Sequence, residues 1–333
     1  MATNISTNPS RALHDGGQPS RVVAPVRVLD VRKPCREHVW VEFDARALPA
    51  SEPGQFLQVV CAPDAAIPDH AVDWTEGRLP QLSGVDWQGR TPQVRRPFSI
   101  ADRWTQADGS ERAAIISRAI GPGTRWLDNL QPGATLSITG PLGVGFAIPP
   151  IGRPLVLIGG GVGIPPFLYL ARRLLELGHR DLTLIFGVQS RDLMPIEVVA
   201  SPMPDGAASA CLRLPCGDAP PAIVTTDDGS LGLRGRVTDA LAAWLKQRGE
   251  PGRAALVYAC GPEPMLHAVA RQTRAESLEC QLCIERLMGC GLGTCLSCIV
   301  QTPCTRSAAG WRWTLSCSSG PVFDRDALIE FAH

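Results

Sequence analysis

Near its C-terminal end the chain reads Met288-Gly289-Cys290-Gly291-Leu292-Gly293-Thr294-Cys295-Leu296-Ser297-Cys298, with three thiols and three glycines in 11 residues. A fold seldom needs that composition for packing. Thiolates are soft metal ligands, and glycines let backbone N–H groups close on whatever the sulfurs hold. The stretch therefore reads as a metal-binding loop, and the rest of the chain as equipment that delivers electrons to it or takes them away.

Cys290, Cys295 and Cys298 make C-x4-C-x2-C, the plant-type [2Fe–2S] spacing, which calls for a fourth cysteine further on. Inward N–H groups would tune such a cluster. The fourth ligand is Cys304 or Cys317. Cys304 is very near for a loop that must return across a cluster, so Cys317, just before Gly320-Pro321, is preferred. A competing reading pairs Cys280-x2-Cys283 with Cys295-x2-Cys298 as four zinc thiolates. That would make the chain a zinc-stapled interaction module without redox activity, but it leaves Cys290 and the glycines unexplained. Seven of the 12 cysteines fall beyond residue 276. A long chain with clustered cysteines suits a reducing cytoplasm better than a secreted disulfide framework, and residues 1–25 carry no apolar signal region.

A chain of 333 residues implies two or three domains. With 32 basic and 32 acidic residues it carries no nucleic-acid footprint. Pro154 to Ala171 runs 18 residues without a charge, yet its four glycines and three prolines mark a buried strand-loop-helix and not a membrane span. Residues 1–20 read as a disordered arm. From 21 to 149, short strands broken by Gly and Pro predict an antiparallel barrel. The candidates are Val22–Val31, Glu37–Phe43, Gln55–Cys61, Arg96–Ala101, Ala113–Ala119 and Thr135–Thr139, with an insertion at 63–94. From 150 to 276, strands and helices alternate, predicting an α/β layer with a parallel sheet. Its expected strands are Pro154–Ile158, Leu182–Gly187, Leu212–Leu214 and Ala255–Ala259, and its helices Pro165–Leu177, Val237–Gln247 and Glu263–Glu276. Residues 201–236 read as mostly loop. Residues 277–333 form a small cysteine-rich unit ending in an amphipathic helix, Arg325–Phe331.

Several motifs gain meaning in sequence. The glycines Gly159, Gly160, Gly161 and Gly163 follow a strand and precede a helix, where backbone N–H groups can meet a pyrophosphate. They do not form a full G-x-G-x-x-G. Arg96-Pro97-Phe98-Ser99 offers an arginine fork for a diphosphate and a hydroxyl for a flavin edge. Arg118 to Thr124 sets Gly121 and Gly123 before a helical stretch, Thr124–Leu130, with Thr124 as an N-cap or beside a phosphate. Gly140 to Phe146 reads as an interdomain corner. Cys260-Gly261-Pro262 places a thiol where a nicotinamide can lie. Tyr258 and Trp126 read as packing residues.

In this order the motifs resemble the ferredoxin–NADP reductase superfamily. The run Glu285-Arg286-x-Met288-x-Cys290 through Cys298, then Cys317-x-x-Gly-Pro-Val-Phe, is similar to the family of electron-transfer subunits of two-subunit, NAD-dependent dihydroorotate dehydrogenases. The resemblance spans about residues 21–331. It implies an α+β multidomain chain with a flavin barrel, a nucleotide-binding α/β domain and a small C-terminal [2Fe–2S] domain. It implies FAD residues at Arg96, Pro97, Phe98, Ser99, Ile116, Ser117, Arg118, Gly123 and Thr124, and cluster ligands at Cys290, Cys295, Cys298 and Cys317. The family often carries an aromatic residue where Ser117 stands. Nicotinamide contacts fall to Gly159, Gly160, Gly161, Gly163, Cys260, Gly261 and Pro262. The implied partner is an FMN-containing catalytic subunit, in a heterotetramer. Electrons from dihydroorotate would reach NAD through the cluster and FAD, and no acid–base constellation is expected in this chain. The same module could serve a hydrogenase or a ferredoxin:NAD(P) oxidoreductase. NAD against NADP stays open, because Gly187 to Arg191 holds no carboxylate and one arginine. The 18 residues between Cys298 and Cys317 exceed what the family leads one to expect.

Overall fold

The computed structural model describes residues 21–61, 71–73, 81–83 and 95–331. The expected N-terminal arm lies outside the described residues. So does most of the 63–94 insertion, of which β4 (Ala71–Asp73) and β5 (Gln81–Ser83) form a small antiparallel pair.

The first unit is a seven-stranded antiparallel sheet. In chain order it contains β1 (Val22–Arg32), β2 (His38–Asp44), β3 (Phe56–Val60), β6 (Arg95–Ser99), β7 (Asp102–Thr105), β8 (Glu111–Arg118) and β9 (Thr135–Leu142). Their spatial order is β6-β3-β9-β1-β2-β8-β7. The sheet curls into an open barrel because β1 changes partner midway: Val22 to Arg27 pair with β9, and Val28 onward with β2, across an irregularity. Alternation sorts the faces. Val39, Val41, Phe43, Leu57, Val59, Ile115 and Ile138 fill the barrel. Trp40, Ala114 and Ile116 point the other way, into a core shared with the next unit. Strand β7 was not expected from sequence, since Asp-Arg-Trp-Thr lacks an apolar pattern. Its Asp102 is almost fully buried and takes a two-pronged ion pair, 2.7 Å to both nitrogens of Arg172 in the second unit. Burial pushes the Asp102 carboxyl up, and the guanidinium opposes that shift. A short helix, α1 (Pro122–Asp128), precedes β9.

The second unit alternates β10 (Leu155–Gly160), α2 (Pro165–Glu176), β11 (Leu182–Val188), β12 (Glu197–Val198), β13 (Leu212–Arg213), β14 (Ala222–Thr226), β15 (Leu233–Arg234), α3 (Val237–Arg248), β16 (Leu256–Cys260) and α4 (Glu263–Ala275). The sheet order β15-β14-β11-β10-β16 reverses direction between β10 and β16. In open α/β sheets that switch point is where ligands bind. Two expectations change. Leu212–Leu214 is not a strand of the parallel layer; β13 pairs antiparallel with β12. The third parallel strand is β14, inside the stretch read as loop, and all five of its residues are buried.

The last unit does not stand apart. β17 (Glu279–Cys283) pairs parallel with β16, and β20 (Val322–Asp324) closes that edge antiparallel. Between them lie the cysteine loop, the hairpin β18 (Ile299–Pro303) and β19 (Trp311–Leu315), and the one-turn α5 (Ser316–Ser319). The helix expected at Arg325–Phe331 is instead two 3-10 turns, Arg325–Ala327 and Ile329–Phe331. The buried Arg325 side chain bonds the Leu278 carbonyl and the Thr273 hydroxyl there, which anchors the turn to α4 and β17. No described helix is long and apolar enough to cross a membrane.

Candidate functional site

The cysteine loop is built by its backbone. Gly291 and Gly293 take left-handed φ of 70° and 88°, a conformation that costs glycine little. The turns aim N–H groups at sulfur: Leu292 and Thr294 donate to Cys290 Sγ at 3.3 Å, Cys295 N–H donates to it at 3.4 Å, and Cys290 N–H donates to Cys295 Sγ at 3.4 Å. Hydrogen bonds from the Ser297 hydroxyl and from backbone N–H groups draw the Cys295 thiol down to about 6. Ser297 Oγ itself accepts from Gly289 N–H at 3.1 Å.

The fourth thiol is settled by the hairpin. Ile299 pairs with Leu315 at one end and Pro303 with Trp311 at the other. Cys298 precedes Ile299 and Cys317 follows Leu315, so the ladder closes them together, and their thiols interact. Burial, then the Cys298 thiol, pushes Cys317 up to about 12. Cys304 sits at the far end, about 14 Å along the strand at 3.4 Å per residue. The 18 extra residues are thus a hairpin that leaves the Cys298–Cys317 pair intact.

The donor set fits a two-iron cluster. The thiols lie as two pairs, Cys290 with Cys295 and Cys298 with Cys317. Among the described residues no three His, Cys, Asp or Glu side chains converge on a single ion. The zinc reading fails on strand geometry. Cys280 and Cys283 are three apart on β17, so they face opposite sides of the sheet. Cys280 lies in one hydrophobic core and Cys283 in the other.

The barrel supplies a neighbouring face. Arg96 and Pro97 are exposed and Ser99 is half-buried on β6. A β-carbon on Gly123 would lie 2.5 Å from Arg96 Nε, so the arginine rests on the first turn of α1, and only glycine leaves room for it. Arg95 is occupied elsewhere, bonding Ser137 and the Gln58 carbonyl. Thr124 is not the N-cap: it stands in the first turn, and its hydroxyl accepts from Ile120 and Gly121 N–H at 3.0 and 2.9 Å. Phe98 packs against the barrel core. Ile116 faces the second unit, Ser117 is buried with its hydroxyl unpartnered, and Arg118 pairs with Glu37 at 2.9 Å.

The third site lies at the switch point. Gly163 and Cys260-Gly261 touch: a β-carbon on Gly163 would sit 2.2 Å from the Cys260 carbonyl oxygen. Gly160, Gly161 and Pro262 line a cleft of about 450 Å³, with His38 and Arg118 on its barrel side. Cys260 itself interacts with the Cys283 thiol on the next strand; that contact, then burial, raises its pKa. Tyr258 and Trp126 are packing residues: Tyr258 is fully buried and donates to the Ala147 carbonyl, and Trp126 lies on the barrel core.

Sequence reasoning missed the residues that join these sites. Phe56 and Leu142 of the barrel pack on Cys298 and Cys317. Gln281 clasps Ala147, accepting from its N–H at 3.0 Å and donating to its carbonyl at 3.1 Å. Met265 lies over Gly160 and Gly261. None of these has a local signature, since each contact spans more than a hundred residues or caps a glycine whose neighbour is unknown in advance.

Residues 157–271 match an oxidoreductase NAD-binding domain, and residues 285–329 the iron–sulfur cluster binding domain of dihydroorotate dehydrogenase B. Among solved structures, an NADH-dependent reduced ferredoxin–NADP oxidoreductase described for flavin-based electron bifurcation aligns with a TM-score of 0.66 at 20% identity, over 92% of this chain and 90% of that one. A ferredoxin reductase in carbazole 1,9a-dioxygenase aligns at 0.54 and 20% identity, over 78% and 67%. Fold and site together define an iron–sulfur oxidoreductase of ferredoxin-reductase architecture, with FAD, a [2Fe–2S] cluster and NAD as its cofactors. The electron transfer subunit of dihydroorotate dehydrogenase B (NAD(+)) from Caldanaerobacter subterraneus subsp. tengcongensis is 32% identical over 260 residues, covering 77% of this chain and 90% of that protein. Its counterpart in Bacillus caldolyticus is 34% identical over 241 residues, covering 72% and 81%. The chain belongs to this family of dihydroorotate dehydrogenase B electron transfer subunits.

Proposed function

We propose that this chain passes electrons between an FMN-containing subunit that oxidises dihydroorotate and NAD, within a cytoplasmic heterotetramer. One observation carries the reading. The cysteine loop lies against the barrel through Phe56 and Leu142 while its other side carries exposed Leu287, Leu292 and Leu296. It thus faces the flavin unit inside and offers an apolar rim outside, which suits a docking partner.

When bound, FAD supplies the conversion between a two-electron hydride carrier and a one-electron cluster. The chain's residues hold and orient. Cys290, Cys295, Cys298 and Cys317 ligate iron, and the loop N–H groups spread negative charge off the sulfurs. Arg96 holds the diphosphate over Gly123 and the α1 turn that Thr124 braces. Pro97, Phe98 and Ser99 present the strand edge, and Ile116, Ser117 and Arg118 present the facing one. Gly159, Gly160, Gly161, Gly163, Cys260, Gly261 and Pro262 shape the nicotinamide cleft. The work divides near 149 and 276, with β17 and β20 tying the cluster unit to the sheet.

The test is purification with an FMN-containing catalytic partner, followed by FAD, iron and sulfide analysis and NADH-linked activity. The reading expects about one FAD and two irons per chain, and dihydroorotate-dependent NAD reduction only when both subunits are present. A colourless preparation, or equal activity with a ferredoxin in place of the FMN subunit, would overturn it.

A further inference from the structure

Gln58 stands at the centre of β3, fully buried, and among the described residues neither its Oε1 nor its Nε2 has a hydrogen-bond partner. Folds seldom bury both ends of a carboxamide unmet, and such a group asks for an explanation. The neighbours of Gln58 supply one. Leu57 and Val59 turn into the barrel, so Phe56 and Gln58 turn outward. Phe56 there meets Cys298 and Cys317. Gln58 meets the cysteine loop itself: a β-carbon on Gly291 would lie 2.7 Å from its Nε2 and 2.8 Å from its Cγ. Across the ladder Gln58 pairs with Pro97, and Phe56 with Ser99. Cross-strand partners share a face, so Gln58 stands between the Arg96–Ser99 strand and the loop that carries Cys290 and Cys295.

Cluster sulfurs accept hydrogen bonds and donate none. Of the two ends of a carboxamide, only the nitrogen can serve them. Nε2 is also the atom nearest Gly291. We propose that Gln58 is a positioning residue between the two redox sites, donating from Nε2 to the sulfur side of the cluster and turning Oε1 toward the flavin-bearing strand. No bond is made or broken at Gln58. Its effect is electrostatic: an N–H aimed at sulfur stabilises the more negative, reduced cluster and so raises its potential. Gly291 is glycine for the complementary reason, because a side chain there would displace the amide.

This inference rests on the cluster assignment above, and the experiment separates the two. Iron, sulfide and FAD are first counted in the unmodified full-length chain; absence of a [2Fe–2S] cluster there would break the assignment before Gln58 is tested. Gln58→Leu and Gln58→Glu are then compared with it by redox titration, following the reduced cluster by electron paramagnetic resonance. The expected result is a lower cluster potential in Gln58→Leu and a still lower one in Gln58→Glu, with altered g-values and unchanged FAD content. Should Gln58→Leu not fold, Gln58→Met keeps the side-chain length and replaces it. An unchanged potential and spectrum in the folded apolar variant and in Gln58→Glu would overturn the inference, since a purely structural amide moves neither.

Discussion

The cysteines of the loop and those of the strands just before it are the same residue in opposite surroundings. In the loop, sulfur is met by N–H groups: three backbone donors close on Cys290 at 3.3 to 3.4 Å, and Cys295 is drawn down to about 6. On β17, sulfur is met by carbon. Cys280 lies in the core with Val257, Val269 and Phe331, and burial pushes its thiol up to about 12. Ligand character thus belongs to the backbone around the thiol. Left-handed turns point donors inward and stabilise thiolate, whereas a strand spends its N–H groups on its neighbours and leaves the thiol to behave as a small hydrophobe.

Substitutions can break this contrast. The largest effect falls on Cys317→Ser, which should remove most of the cluster's visible absorption and iron while far-ultraviolet circular dichroism stays near that of the parent. Retention of a full cluster would mean that the hairpin does not deliver the fourth ligand. Gly291→Ala should be milder. It forces a side chain into φ 70° and against Gln58, costing about 1–3 kcal/mol and releasing the cluster at a lower temperature in a melt followed at visible wavelengths. Cys280→Ala sharpens the other half: a small core vacancy should cost about 1 kcal/mol by denaturant unfolding and leave iron content untouched. Cys304→Ser, at the remote hairpin end, should change neither iron content nor stability measurably.

The barrel strands were legible because alternation and Gly/Pro breaks are local signals. All six expected strands are present within a few residues, and the missing β7 is the one whose buried Asp102 hides the pattern. In the second unit β14 escaped because Ala-Ile-Val-Thr-Thr is short and sits among loop residues; its strand character comes from pairing with β11. Cys283 and Cys280 were assigned to the cysteine-rich end on composition alone, yet the sheet claims them through β16. Arg96 and Gly123 could be suspected separately from their motifs. That each explains the other needed a contact across 27 positions.

The sequence by itself determined the loop: C-x4-C-x2-C with glycines at 289, 291 and 293 specifies three ligands and the backbone freedom to wrap a cluster, because both depend on neighbours only a few bonds away. It also determined the order of the three units. The tertiary structure decided which distant cysteine completes the set, through the register of the β18–β19 hairpin. It decided that Cys280 and Cys283 face opposite cores, and that Gln58 waits between barrel and loop with its amide unmet. Those choices depend on pairings between residues far apart in the chain, and no local pattern encodes which pairing wins.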